Sequence, residues 1–85
     1  MSDSQIRVYG TAWCGDCARS KRLLDRLGVP YAWINIEQDS KARDYVVEVN
    51  RGSRSVPTIV FPDGSVLVEP GDAELEKKVK AAGLV

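Results

Sequence analysis

The sequence predicts an α/β protein: a four-stranded mixed sheet flanked by helices, in the order β-α-β-α-β-β-α. Three observations predict it. The chain up to Ile36 reads strand, helix, strand, a unit that favours parallel pairing across a right-handed crossover. Further on, Pro62-Asp63-Gly64 is a compact turn between two short apolar runs, which reads as an antiparallel hairpin. Finally, 85 residues leave room for one core, so residues 1–85 are read as one domain.

Each element follows from local pattern. Ile6 to Tyr9 is rich in strand formers and stops at Gly10; this is the expected β1. Helix α1 begins around Thr11–Cys17 and runs to Leu27, with Ser20, Leu23, Leu24 and Leu27 at helical spacing and Gly28 and Pro30 to end it. Tyr31 to Ile36 is β2, with Ala32, Ile34 and Ile36 on one face and Tyr31, Trp33 and Asn35 on the other. Asp39 and Ser40 offer N-caps to α2. There Ala42, Tyr45, Val46 and Val49 form one stripe, and Gly52 is the expected stop. Thr58 to Phe61 and Ser65 to Glu69 are the hairpin strands β3 and β4. The last helix, α3, runs from about Asp72 to Ala82. Its Glu74 and Glu76 lie near the start and Lys77, Lys78 and Lys80 toward the end, the order that suits the helix dipole.

Composition excludes several functions. Charges balance at 12 basic and 12 acidic, so no basic excess points to nucleic acid or an anionic membrane. No apolar run is long enough to span a bilayer. Met1 to Gln5 is polar and lacks the order of a signal peptide, so the expected location is cytoplasmic. Histidine is absent, which removes Ser-His-Asp and Cys-His catalysis and the usual imidazole metal sites.

The chemistry concentrates in Thr11-Ala12-Trp13-Cys14-Gly15-Asp16-Cys17, which holds both cysteines of the chain. A C-x-x-C at a strand-to-helix junction of a small α/β protein is a thiol–disulfide redox signature. As a structural staple it would close a very short loop and remove little chain entropy. In a reducing compartment such a pair is catalytic or metal-binding. At a helix N-cap, Cys14 meets unpaired N–H groups that favour a sulfur anion. Cys17, one turn on, is the more buried resolving thiol, on the same face and within reach of a mixed disulfide at Cys14. Gly15 keeps the space beside Cys14 open for a substrate sulfur.

Asp16 has two readings. A carboxylate in the first turn favours the helix, and it also repels a neighbouring thiolate and anionic substrates. Arg19, Lys21, Arg22 and Arg26 make α1 basic, normally a solvated face, though one able to steer an acidic partner. Pro57, just before a strand, is by itself an ordinary strand-start proline.

Tyr9 to Cys17, Arg54-Ser55-Val56-Pro57 and Pro70-Gly71-Asp72 together resemble glutaredoxins over nearly the whole chain. The expected fold is therefore thioredoxin-like, in its minimal glutaredoxin-sized form. Within that family the chain is most similar to mycoredoxins, with a tryptophan before C-G-x-C and an Asn-Arg-Gly segment leading into R-x-V-P-T. Trp13-Cys14-Gly15 is similar to thioredoxin too, but thioredoxins are longer and carry proline where this chain has Asp16. The resemblance implies Cys14 as nucleophile and Cys17 as resolving thiol, with a cis Pro57 facing them. It implies a small-thiol groove lined by Arg54, Val56 and Pro57, with Val56 supplying backbone hydrogen bonds. Thr11, Trp13, Gly15 and Asp16 border that groove, and Gly71 and Asp72 offer helix N–H groups to the thiol's far end. Taken alone, Arg54 is also a solvated loop cation and Asp72 an ordinary N-cap.

The resemblance implies no tightly bound cofactor; the co-substrate is a low-molecular-weight thiol, mycothiol or glutathione. Glutathione-using glutaredoxins usually carry lysine where this chain has Thr11. Losing that cation while gaining Asp16 suits mycothiol, which bears no carboxylate; Arg54 argues partly the other way. The expected reaction is reduction of mixed disulfides between proteins and the small thiol. Expected partners are thiolated or disulfide-containing proteins and a reductase of the thiol pool. The alternative is a protein dithiol donor recycled by thioredoxin reductase, for example to ribonucleotide reductase, though the S-G-F-R-P segment of such redoxins is missing. A third reading is an iron–sulfur or metal-binding module, for which two cysteines without histidine fall short of four ligands in one chain. The expected form is a monomer.

Overall fold

The computed structural model describes residues 5–84, so the polar leader at positions 1–4 lies outside the described residues. Among these residues the order is β1 (Ile6–Gly10), α1 (Gly15–Leu27), β2 (Tyr31–Asn35), α2 (Ser40–Val49), β3 (Thr58–Val60), β4 (Val66–Val68) and α3 (Asp72–Ala81). The sheet order is β2-β1-β3-β4. β1 pairs parallel with β2 and antiparallel with β3, and β3 pairs antiparallel with β4. The mixed sheet and its βαβ and hairpin parts are those read from the sequence.

Side-chain alternation along the strands feeds two cores. On one face Ile6, Val8, Ile59 and Phe61 meet Leu23 and Leu24 of α1 and Leu75 and Val79 of α3. On the other, Tyr9, Ile36 and Val60 meet Ala42 and Val46 of α2. β2 serves both, since Tyr31 and Trp33 pack toward the first core and Ile34 toward the second. Each fully buried aliphatic side chain contributes about 1.5–3 kcal/mol.

The caps explain the helix limits. Gly28 takes the left-handed conformation at φ 73° and closes α1. Asp39 accepts the N–H of Ala42 at 3.0 Å and opens α2. The stop expected at Gly52 comes earlier, at Val49. The Asn50 amide reaches back to the Val46 carbonyl at 2.9 Å and across to the Thr58 hydroxyl at 3.0 Å, and Arg51 then turns left-handed at φ 54°.

The strand ends are also shorter than expected. Phe61 falls just past β3, although its N–H still bonds Ser65 across the turn. Glu69 leaves β4 at φ 50°. Ile36 lies just beyond β2 and donates to the Gly10 carbonyl at 2.9 Å. At α3 the N-cap is Gly71, with no side-chain bond; Asp72 is the first helical residue rather than the cap. Among the described residues, no helix is long and apolar enough to cross a membrane.

Candidate active site

β1 ends at Gly10, and the chain turns at once into α1, so both cysteines stand at the end of a central strand. Cys14 is the N-cap, in extended backbone geometry, and its Sγ accepts the N–H of Cys17 at 3.2 Å. The N–H of Cys14 in turn donates to the Thr11 carbonyl at 3.3 Å, which pins the loop. Negative charge on the Cys14 sulfur therefore meets an aimed N–H at the positive end of a helix. A Cβ placed on Gly15 would meet nothing within 4 Å, so the approach from that side is open.

The two sulfurs are unlinked and differently placed: Cys14 is half-buried and Cys17 fully buried. Burial, first, and then the hydrogen bond with Cys14 push the Cys17 thiol up to about 12, with the Thr11 backbone N–H and the Lys21 charge pulling the other way. Cys17 is thus a thiol at neutral pH.

The Val56–Pro57 peptide is cis, and the Val56 carbonyl lies 3.9 Å from the Cys14 sulfur. Beside this point runs a groove of about 410 Å³ lined by Thr11, Trp13, Ile36, Glu37, Arg43, Arg54 and Val56. Trp13 is 73% exposed, and its indole N–H donates to the Glu37 carboxylate at 3.0 Å. The turn that carries Glu37 is fixed by its N–H bonding the Asn35 side chain at 2.9 Å.

The groove brings Thr11, Trp13, Arg54 and Val56 together; Cys14, Gly15 and Pro57 are not among its lining residues, and it reaches Cys14 through Val56, whose carbonyl is 3.9 Å from the sulfur. Pro57 is buried immediately after Val56. Asp16, Gly71 and Asp72 are not among its lining residues. Asp16 pairs with Arg19 at 3.0 Å, and Asp72 pairs with the same guanidinium at 3.3 Å. Arg19 also donates to the Pro70 carbonyl at 3.4 Å. That cluster ties α1 to the start of α3, and in it Asp16 and Asp72 share one cation.

Three residues of the site carry no signal in the C-x-x-C motif. Glu37 and Arg43 line the groove. The parallel register sets Gly10 against Asn35, so the residues following each strand end side by side, and Glu37 reaches Trp13 this way. Gly10 reads as a mere strand end, yet a Cβ there would stand 2.4 Å from the Cys17 sulfur and 2.9 Å from the Trp33 ring. Only glycine fits between them.

The glutaredoxin family model matches residues 6–67 of this chain. The chain belongs to the glutaredoxin family. As a glutaredoxin it is a thiol–disulfide oxidoreductase, consistent with the cysteine pair at the helix start. It is 40% identical to a Mycobacterium tuberculosis protein classed with the glutaredoxins, across 98% of this chain and 100% of that one. It is 37% identical to mycoredoxin 1 of Corynebacterium glutamicum, across 92% of this chain and 96% of the relative. The crystal structure of a glutaredoxin from Archaeoglobus fulgidus superposes with a TM-score of 0.74 at 25% identity, covering 91% of this chain and 87% of that one. The expected thioredoxin-like, glutaredoxin-type fold is the observed one.

Proposed function

We propose that this glutaredoxin reduces mixed disulfides between proteins and a low-molecular-weight thiol, with mycothiol preferred over glutathione. The observation that carries the reading is the groove beside Cys14, which has the size of a small-molecule site. The Cys14 thiolate attacks the small thiol's sulfur in the mixed disulfide. A new S–S bond joins Cys14 to that thiol, the old S–S bond breaks, and the protein leaves as a thiolate that takes a proton from water. A second small thiol then attacks the bound thiol's sulfur, forming the small-thiol disulfide and freeing Cys14 as a thiolate; alternatively Cys17 attacks the Cys14 sulfur, forming the Cys14–Cys17 disulfide and releasing the bound thiol.

In this reading Arg54 and Arg43 hold polar groups of the thiol, and the Val56 backbone lies alongside the reacting sulfurs. Glu37 supports the mycothiol preference better than Asp16 does. It is the carboxylate on the groove wall, whereas Asp16 faces Arg19. A ligand carboxylate placed against Glu37 is repelled, whereas one near Arg43 or Arg54 is attracted; the preference follows from a ligand whose far end meets Glu37, where an uncharged polar head is not penalised. The far end of the thiol lies along Trp13 and Glu37, and the Asp72 side stays closed by Arg19. The working place is the cytoplasm, whose reducing pool regenerates the pair, and the chain works as one domain.

Steady-state reduction of one mixed-disulfide protein, with three electron sources in parallel, tests the proposal. These are mycothiol with its reductase, glutathione with its reductase, and thioredoxin reductase with NADPH. Highest turnover with mycothiol is the expected result. Preference for glutathione would remove the role given to Glu37. Turnover with thioredoxin reductase alone would replace the proposal with a protein dithiol donor.

A further inference from the structure

The resolving thiol has a built surround of its own behind the active site. Helix α1 places Lys21 one turn after Cys17, on the same face. The Lys21 ammonium stands 3.6 Å from the centre of the Trp33 ring, stacked on it. The far edge of that ring and the Cys17 sulfur converge on the same point, the place a Cβ on Gly10 would occupy. Among the described residues no carboxylate pairs with Lys21; the ion pairs of α1 are made by Arg19. The cation is therefore held by an aromatic face whose edge lies beside the buried sulfur.

Resting on the reaction proposed above, we propose that Lys21 is a positioning residue for the second step: seated on Trp33, it steadies negative charge on the Cys17 sulfur during attack on Cys14. In that step Cys17 gives its proton to solvent and its sulfur bonds to Cys14. The bond between Cys14 and the small thiol breaks, and the thiol departs as a thiolate that is then protonated. The Cys14–Cys17 pair is oxidised by two electrons and the small thiol is reduced.

The groups acting on Cys17 make Lys21 the cation available for this. From α1 the charged or titratable ones are Cys14 and Lys21. β1 supplies Gly10, the loop after it the Thr11 backbone N–H, and β2 supplies Trp33, none of them charged. The hydrogen bond and charge of a free Cys14 oppose ionisation of Cys17. Once Cys14 is bound to a small thiol its anionic charge is gone, whereas the charge of Lys21 remains. Burial opposes the Cys17 anion in both states, but the opposition from Cys14 is lifted once substrate attaches, and Lys21 offsets part of what remains.

The test uses the reduced full chain and glutathione disulfide as probe. Acid quenching and mass spectrometry follow two events: formation of the Cys14–glutathione adduct, and its decay as the internal disulfide closes. Lys21→Met keeps the side-chain stem and removes the charge. The expected result is adduct formation at the wild-type rate, with decay about tenfold slower at neutral pH and its pH profile moved up by about one unit. Lys21→Arg retains the wild-type profile. Adduct decay in Lys21→Met at the wild-type rate with an unmoved profile would overturn the inference, as would equal slowing of both events. If no adduct forms with glutathione disulfide, mycothiol disulfide replaces it in the same run; a wild-type chain that forms no Cys14 adduct with either overturns the proposed function, and this inference with it.

Discussion

The backbone N–H of Cys17 points at the sulfur of Cys14, 3.2 Å away, while the thiol of Cys17 itself is buried against Gly10 and Trp33. One residue thus serves twice: its backbone steadies the exposed nucleophile and its side chain waits behind it. The asymmetry between the two sulfurs is a property of the strand-to-helix junction, where one cysteine caps the helix and the next turns inward.

This asymmetry predicts selective alkylation. With a limiting alkylating reagent at neutral pH, Cys14 is modified and Cys17 is not until the chain is unfolded, because Cys17 is both inaccessible and protonated. Peptide mapping reads the site. Equal modification of both in the native protein would contradict the assignment.

Gly10→Ala places a methyl group 2.4 Å from the Cys17 sulfur and 2.9 Å from the Trp33 ring. Backbone, the buried Cys17 side chain or the partly buried Trp33 ring must give way, at a cost of about 1–3 kcal/mol. Denaturant unfolding reads the loss, and closure of the Cys14–Cys17 disulfide slows because the thiol is displaced. Unchanged stability and closure would show that the strand end has slack.

The buried thiol also links stability to alkaline pH. Folding raises Cys17 from an ordinary 9.0 to about 12. The contribution is fully present below pH 9 and is lost as pH rises toward 12, because over that window the unfolded chain has already released the proton. Wild type therefore loses stability more steeply from pH 9 upward than Cys17→Ala does. Parallel curves in denaturant melts would contradict this.

Glu37→Gln removes the carboxylate from the groove wall and keeps the hydrogen bond from Trp13. The ratio of kcat/KM for glutathione over mycothiol rises by about threefold, a size set by an exposed, screened charge. The same substitution at Asp16 leaves the ratio unmoved, because Asp16 faces Arg19. The opposite ranking of the two variants would return the selectivity to Asp16.

Much of this architecture is legible in the sequence because its signals are local. Gly28 ends α1, Asp39 caps α2, Pro62-Asp63-Gly64 turns the hairpin, and the C-x-x-C sits where strand meets helix. What stays hidden depends on contacts between distant segments. Asn50 ends α2 early by bonding Thr58, which no helical pattern announces. Glu37 meets Trp13 across 24 positions, through strand register rather than spacing. Arg19 pairs with both Asp16 and Asp72, a contact between α1 and the start of α3 that neither the C-x-x-C spacing nor the helix-start reading of Asp72 announces.

The most direct test of the account is to trap its first intermediate. The Cys17→Ser chain, reduced and mixed with a mycothiol-modified protein, has no resolving thiol, so the product of the first attack persists. The predicted species is a Cys14 adduct with the mass of one mycothiol, alongside the freed protein. A disulfide between Cys14 and the substrate protein, with mycothiol released instead, would contradict it and would place the protein rather than the small thiol in the groove.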